Sequence, residues 1–171
     1  NEFYDKMPEQ FDRLYKNDGK GNFTRDVKAL PAMYDNKSVV RPCDFDRDGD
    51  MDLFIGGRVV AYHYGYSPKS YLLVNNGKGQ FADKTQALAP ELREAGMLTE
   101  AIWADFDKDG DQDLTVVGDW MPIKMYENQR GKFTLIDNGL SELTGFWSGL
   151  TAGDFDQDGD IDFVVGNLGT N

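Results

Sequence analysis

Three nine-residue segments repeat one pattern of aspartates, and this repeat constrains the fold more than any other feature of the sequence. Segments 44–52, 105–113 and 154–162, here called loops 1, 2 and 3, all read Asp-Phe-Asp-x-Asp-Gly-Asp-x-Asp. They hold 15 of the 30 acidic residues in 27 positions, with Arg47 and Lys108 as their only basic residues. The net charge of −12 is therefore concentrated in three short segments.

The fixed spacing of the aspartates favours cation binding over a solvated acidic surface, which needs no regular spacing. Two unit charges 4 Å apart repel by about 4 kcal/mol at an effective dielectric near 20, and a divalent cation would remove that repulsion. Calcium accepts six to eight oxygen ligands, whereas magnesium takes fewer carboxylates, and glycine at position 6 permits the sharp turn of a calcium loop. We therefore predict about three Ca²⁺ ions, one in each loop.

Each predicted site uses the five aspartates of one loop. Positions 1, 3, 5 and 9 are expected to bind through side-chain oxygens, and position 7 through its backbone carbonyl, so that its carboxylate only adds negative field. The predicted metal-binding residues are Asp44, Asp46, Asp48, Asp50, Asp52, Asp105, Asp107, Asp109, Asp111, Asp113, Asp154, Asp156, Asp158, Asp160 and Asp162.

The residues that follow the loops exclude an EF-hand, which needs a glutamate at position 12 on a departing helix. Position 12 is Ile55, Val116 or Val165, within a short apolar run that ends at glycine. Such runs, and the β-branched and aromatic residues that precede the loops, are typical of strands. Each loop is therefore predicted to be the tip of a β-hairpin.

A second motif alternates with the loops and predicts further hairpins. Segments 15–23 and 73–81 share Asn-(Asp/Asn)-Gly-Lys-Gly-x-Phe, and 126–133 is a shorter version. Asn-Gly and Asp-Gly steps between apolar runs mark tight hairpin turns. A helical turn is expected in the less regular segment 87–95.

A loop hairpin plus an Asn-Gly hairpin makes a four-stranded antiparallel unit, which is the size of a propeller blade. We predict an all-β fold with a half blade at 11–35, blades at 38–97 and 98–146, and a half blade at 147–171.

Together, the two motifs resemble the FG-GAP/VCBS repeat family. Within it, segments 118–123 and 162–171 are similar to large bacterial VCBS-repeat proteins that often end in an ASPIC/UnbV domain. The resemblance implies blades of a calcium-stabilised β-propeller and an extracytoplasmic location. It also implies that the aspartates named above are the calcium ligands. Family propellers usually have about seven blades, and the chain begins with Asn1 rather than Met. A part of a larger propeller from a longer, processed chain is therefore expected.

The expected function is a structural and interaction module on a bacterial surface, in the periplasm or in the secreted fraction. Its partner would be a protein or a glycan, other blades of the parent chain, or an outer-membrane complex. Two alternatives stay open: part of a propeller hydrolase or lyase with its active site elsewhere in the parent chain, or a subunit of an outer-membrane assembly. The sequence suggests no catalytic residues and no organic cofactor.

Composition excludes several other classes of protein. The acidic charge argues against a nucleic-acid partner, and no apolar run is long enough for a transmembrane segment. Cys43 is the only cysteine, so an intrachain disulfide is impossible, and a buried, unreactive thiol is expected.

The aromatic residues allow two interpretations. Position 2 of the loops (Phe45, Phe106, Phe155) and Trp103 are predicted to be core residues, while Trp120 and Trp147 are candidates either for packing or for stacking on sugars. The long link after loop 1 carries Tyr62, His63, Tyr64 and Tyr66. It is either a recognition surface or ordinary aromatic packing.

Overall fold

The computed structural model of the chain describes residues 10–169, which form twelve strands and two short helical segments. The strands are β1 (Leu14–Asn17), β2 (Phe23–Asp26), β3 (Asn36–Cys43), β4 (Asp52–Val59), β5 (Tyr71–Asn75), β6 (Phe81–Asp83), β7 (Met97–Ala104), β8 (Asp113–Pro122), β9 (Lys124–Gln129), β10 (Lys132–Ile136), β11 (Thr144–Gly153) and β12 (Asp162–Asn167). The helical turn expected in 87–95 is present, as helix α1 (Thr85–Leu88) and a 3-10 turn (Pro90–Leu92). Neither segment is long or apolar enough to cross a membrane.

The strands form antiparallel sheets in which each Asp loop joins the two strands of a hairpin. Strands β3, β4, β5 and β6 pair in chain order as one four-stranded unit, here called unit 1. Strands β7, β8, β9 and β10 pair in the same way as unit 2. The all-β, antiparallel fold predicted from the sequence is confirmed.

Two hairpins lie outside these units: β1–β2 forms a sheet of its own, and β11–β12 is joined to unit 2 through the end of β8. Residues 10–169 form no closed ring. The structure does not describe residues 1–9 and 170–171, so the amino terminus and the last residues of the predicted half blade at 147–171 lie outside it.

The first strands of successive units lie side by side. Ser38 Oγ on β3 donates to Leu98 O on β7 at 2.6 Å, and Thr99 Oγ1 on β7 donates to Trp147 O on β11 at 2.6 Å. The main hydrophobic core lies between units 1 and 2 and includes Phe54, Leu72, Leu98, Leu114 and Tyr126, all of them fully buried. Burial of this apolar surface is the main source of stability and fixes where the loops lie.

The three phenylalanines at position 2 of the loops have different surroundings. Phe45 is buried against Trp103 and Phe133 of unit 2, with ring centroids 5.9 and 5.4 Å away. Phe106 is half-buried, whereas Phe155 is 56% exposed. The prediction that Phe155 is a core residue is therefore wrong for the described chain. The physical reason is that the unit following a loop supplies the apolar contacts, and no described unit follows loop 3.

Cys43, at the end of β3, is half-buried rather than buried. Burial raises the pKa of its thiol to about 11, with smaller contributions from the nearby carboxylates of Asp44 and Asp52. A thiol with so high a pKa carries little thiolate at neutral pH and is therefore unreactive.

Candidate metal centres in the three aspartate loops

The backbone of each loop makes the same turn. Glycine at position 6 has φ of +94° in loop 1, +93° in loop 2 and +90° in loop 3. Position 4 is also left-handed, at Arg47, Lys108 and Gln157, with φ between 61° and 66°. Left-handed residues reverse the chain direction within a few residues, and glycine adopts this conformation at no steric cost.

Hydrogen bonds within each loop orient its carboxylates. In loop 1, Asp46 Oδ1 accepts from Asp48 N at 3.2 Å, and Asp48 Oδ1 accepts from Asp50 N at 2.9 Å. Loops 2 and 3 repeat both bonds at the equivalent positions. Each of these carboxylates keeps a second oxygen that is not used in the turn.

In every loop, three carboxylate oxygens come within 4.8 Å of one another. Two ligands bonded to one Ca²⁺ at 2.3–2.6 Å cannot be more than about 5 Å apart, so these oxygens fit a shared ion. All of them are hard oxygen donors, which suit Ca²⁺ better than Zn²⁺. The three groups are Asp44, Asp46 and Asp48; Asp105, Asp107 and Asp113; and Asp154, Asp156 and Asp162.

The aspartates at position 9 of loops 1 and 2, Asp52 and Asp113, are fully buried. Besides being predicted ligands, they hold the neighbouring hairpin in place. Asp52 Oδ1 accepts from Asn75 N, and Asp113 Oδ1 accepts from Asn128 N, both at 2.8 Å, so that each aspartate fixes the Asn-Gly hairpin of its own unit. The second oxygen of Asp113 accepts from Phe106 N at 3.1 Å. The second oxygen of Asp52 has no hydrogen-bond donor among the described residues.

Three buried carboxylate oxygens in the loops lack a hydrogen-bond partner within residues 10–169: Asp44 Oδ1, Asp52 Oδ2 and Asp105 Oδ1. A buried oxygen without a donor costs about 1–3 kcal/mol, and more when it is charged, so native proteins rarely keep one. A cation bound by these oxygens would replace the missing donors.

Burial, with smaller contributions from other carboxylates of the same loop, raises the pKa of Asp52 and of Asp113 to about 6, although the backbone hydrogen bonds from Asn75 and Asn128 partly oppose the shift. Burial also raises the pKa of Asp46. A raised carboxyl pKa means that the folded loop disfavours the charged form, and a bound cation would reverse that preference.

At position 7, the carboxylates of loops 2 and 3 contact the preceding loop. Asp111 accepts from Arg47 Nε at 3.0 Å and from Arg130 N at 2.9 Å, and Asp160 pairs with Lys108. The basic side chain at position 4 of one loop therefore forms an ion pair with the aspartate at position 7 of the next loop. Sequence reasoning missed this role of Arg47 and Lys108, because their partners lie more than fifty residues along the chain.

Asn128 is a second residue that sequence reasoning missed. It is fully buried, and its Nδ2 donates to Phe45 O of loop 1 at 2.8 Å and to Gln112 O of loop 2 at 3.0 Å. Its Oδ1 accepts from Gly131 N at 2.7 Å. The sequence did contain a signal for this role, because an asparagine recurs at the start of each Asn-Gly turn. Asn75, at the equivalent position of unit 1, donates to Met51 O and accepts from Gly79 N in the same way.

The structure also places the candidate recognition residues. Trp103 packs on Phe45, and Trp147 is half-buried with Nε1 donating to Met121 O at 2.9 Å, so both have structural roles. Trp120 differs, because it is 55% exposed and has a φ of +54° near the end of β8, at a bulge in the pairing of β8 with β11. A positive φ is a true outlier for so bulky a residue, and such strain is concentrated at functional sites.

Trp120 is surrounded by aromatic and charged groups. Its ring lies 5.0 Å from that of Tyr64 and 5.3 Å from that of Phe146. The neighbouring Asp119 accepts from Arg58 Nη2 at 2.7 Å and from Tyr64 Oη at 2.9 Å. Arg58 Nη1 is buried and has no acceptor among the described residues. The sequence drew attention to Trp120 and Tyr64, but not to the charged pair beside them.

The chain belongs to the family of FG-GAP-like repeats. This family matches residues 8–55 and 105–165, which together are more than half of the chain and include all three aspartate loops. A search of curated proteins finds no match to the chain. Membership of this repeat family is consistent with the all-β fold and with the repeated loop hairpins described above.

Proposed function

We propose that the chain is a calcium-binding segment of a β-propeller that serves as a structural and interaction module outside the cytoplasm of a bacterium. The observation that carries the calcium proposal is the set of buried loop oxygens without donors, at Asp44, Asp52 and Asp105. They lie in loops where three carboxylates already converge. An extracytoplasmic location is supported by the resemblance of the repeats to calcium-stabilised propellers that lie outside the cytoplasm.

Loop 2 offers a matched test of the calcium proposal. Asp107→Asn and Asp111→Asn remove the same charge from the same loop. Asp107 belongs to the convergent carboxylates, whereas the carboxylate of Asp111 pairs with Arg47. In calorimetric titrations with CaCl₂, Asp107→Asn should weaken binding at one of three sites more than tenfold. Asp111→Asn should keep three sites with affinities within about threefold of wild type, since a carboxylate that only adds field contributes little. Equal losses in the two variants would contradict the assigned ligand set.

The interaction role is supported by the exposed aromatic surface around Trp120, with a glycan or a protein as its ligand. Beside it, Val59, Tyr62, His63 and Tyr64 line a cleft of about 480 Å³, which is within the usual range for ligand sites. Exposed rings such as those of Trp120 and Tyr64 can stack on the apolar faces of sugars. The role is non-catalytic, and in the enzyme alternative the active site lies elsewhere in the parent chain.

A glycan array probed with the fluorescently labelled chain tests the glycan ligand. Wild type should bind a defined class of sugars, and Trp120→Ala should lower the signal at least tenfold, because stacking on one ring is the main apolar contact. Phe23→Ala is the control, since Phe23 is a comparably exposed aromatic residue on a different sheet. Absence of any sugar binding, or equal losses in both variants, would count against a glycan as the ligand.

A further inference from the structure

Two sets of contacts join loop 1 to loop 2, and the first runs through Asn128. Its Nδ2 donates at 2.8 Å to Phe45 O, which lies in the chain between the predicted ligands Asp44 and Asp46. Its backbone N donates at 2.8 Å to Oδ1 of Asp113, the position-9 ligand predicted for loop 2. Asn128 is fully buried, so water cannot replace either contact. One residue therefore fixes the backbone of loop 1 and a ligand side chain of loop 2.

The second set of contacts runs through Arg47, at position 4 of loop 1. Its Nε lies 3.0 Å from Oδ1 of Asp111, at position 7 of loop 2, and the other oxygen of that carboxylate accepts from Arg130 N at 2.9 Å. The Asp111 side chain is largely buried. Position 7 is predicted to bind calcium through its backbone carbonyl. A side chain of loop 1 therefore holds the residue that supplies this carbonyl in loop 2.

Close packing limits the freedom of the two loops to move separately. Gly131, in the turn between β9 and β10, lies so near loop 1 that a Cβ added to it would be 2.9 Å from Cβ of Asp46. Gly110 of loop 2 lies against loop 1 in the same way, because a Cβ there would be 2.9 Å from Arg47 Nη2. Closely packed groups transmit a displacement instead of absorbing it. A change in the shape of loop 1 is therefore passed on to loop 2 and its hairpin.

The contact between loops 2 and 3 is weaker among residues 10–169. Lys108 pairs with Asp160, but the two side chains are 54% and 66% exposed. Ion pairs exposed to water contribute little, because water and salt compete with them. The pair from Arg47 to Asp111 occupies the equivalent positions but has a largely buried carboxylate. The two pairs therefore offer a matched comparison.

We propose that calcium binding at loops 1 and 2 is positively cooperative, with Asn128 and the pair of Arg47 with Asp111 as the coupling contacts. The inference rests on the calcium function proposed above. An empty loop must be ordered before its carboxylates can share an ion, and that ordering costs conformational entropy. When loop 1 is occupied, Phe45 and Arg47 are already held in place, so loop 2 loses less entropy on binding. Linkage makes the effect reciprocal, so that an ion in loop 2 favours loop 1 equally.

Charge acts in the opposite direction but more weakly. An ion in loop 1 reduces the negative potential that attracts a second ion to loop 2. In 0.15 M salt, interactions between exposed charges are largely screened beyond about 8 Å. The hydrogen bonds of Asn128 are buried and are not screened in this way. We therefore expect the contacts to decide the sign, with a coupling factor of about ten, which is within the usual range for coupled sites.

Calcium titrations followed by amide NMR spectra of the isotope-labelled chain measure the coupling loop by loop. The position-6 glycines Gly49, Gly110 and Gly159 report on loops 1, 2 and 3. Asp46→Asn disables loop 1 and should raise the calcium concentration that half-saturates loop 2, while Asp107→Asn should have the same effect on loop 1. For two coupled sites the product of these two shifts equals the coupling factor, so we expect a product of about ten.

Variants at position 4 test the assigned contacts. Arg47→Met removes the pair with the buried carboxylate, and the product of the two shifts should fall to about three. Lys108→Met removes the same charge from the equivalent position of loop 2, and the product should stay at about ten, because the pair that it breaks is exposed. Arg47→Met combined with Asn128→Ala removes both sets of contacts and should bring the product close to one.

The possible outcomes separate the coupling from the calcium function itself. If all three glycine signals of the wild-type chain respond to calcium but the product is within about twofold of one, the coupling is overturned and the calcium function stands. Equal losses of coupling in Arg47→Met and Lys108→Met would overturn the assigned contacts. A folded wild-type chain whose glycine signals do not respond to millimolar calcium would overturn both the coupling and the calcium function.

Discussion

Removal of calcium is expected to lower the melting temperature of the chain by about 15–30 °C. A ligand present at 100 times its dissociation constant stabilises the folded state by about 2.7 kcal/mol per site, so three sites contribute about 8 kcal/mol. For a domain of this size, 1 kcal/mol shifts the melting temperature by roughly 2–4 °C. Melting curves followed by circular dichroism in 5 mM CaCl₂ and in excess chelator measure the shift.

A variant with all three calcium loops disabled serves as the control for this measurement. The combination of Asp46→Asn, Asp107→Asn and Asp156→Asn removes one convergent carboxylate from each loop. Its melting temperature should be nearly the same in calcium and in chelator. If wild type and variant respond to chelator alike, the stabilisation does not come from the loops.

Asn128→Ala is expected to destabilise the chain by about 3 kcal/mol. The variant loses three side-chain hydrogen bonds and leaves Phe45 O, Gln112 O and Gly131 N without their partner. Each buried group left unsatisfied costs about 1–3 kcal/mol, and relaxation recovers part of this. Urea unfolding in saturating calcium measures the change without interference from metal loss.

Asn75→Ala is the matched control for Asn128→Ala. Asn75 occupies the same place in unit 1 and bonds to Met51 O and Gly79 N, but it is partly exposed and makes no bond to another loop. Water can replace its partners, so the expected cost is about 1 kcal/mol. Equal effects at the two positions would show that the bond from Asn128 to loop 1 adds nothing to stability.

The parts of the fold that could be predicted from the sequence are those encoded within a few residues. The Asp loops specify a turn through position 6 glycine, and alternating apolar runs specify the strands on either side. The Asn-Gly motifs specify the second hairpin of each unit. The pairing of β4 with β5 and of β8 with β9 follows from this order, because consecutive antiparallel strands usually pair.

The contacts between units could not be predicted, because they depend on tertiary placement. Arg47 meets Asp111, and Asn128 meets Phe45, across more than sixty residues of sequence. The exposure of Phe155 depends in the same way on which unit follows loop 3. The positive φ of Trp120 coincides with a bulge in the pairing of β8 with β11, and no local pattern indicates a positive φ for tryptophan.

The central claim is that each of the three aspartate loops binds one divalent cation. Equilibrium dialysis of the chain against 1 mM CaCl₂, followed by elemental analysis of the protein, tests it most directly. We expect three calcium ions per wild-type chain and a loss of one ion when Asp107→Asn disables loop 2. A folded wild-type chain that retains no calcium under these conditions would contradict the claim.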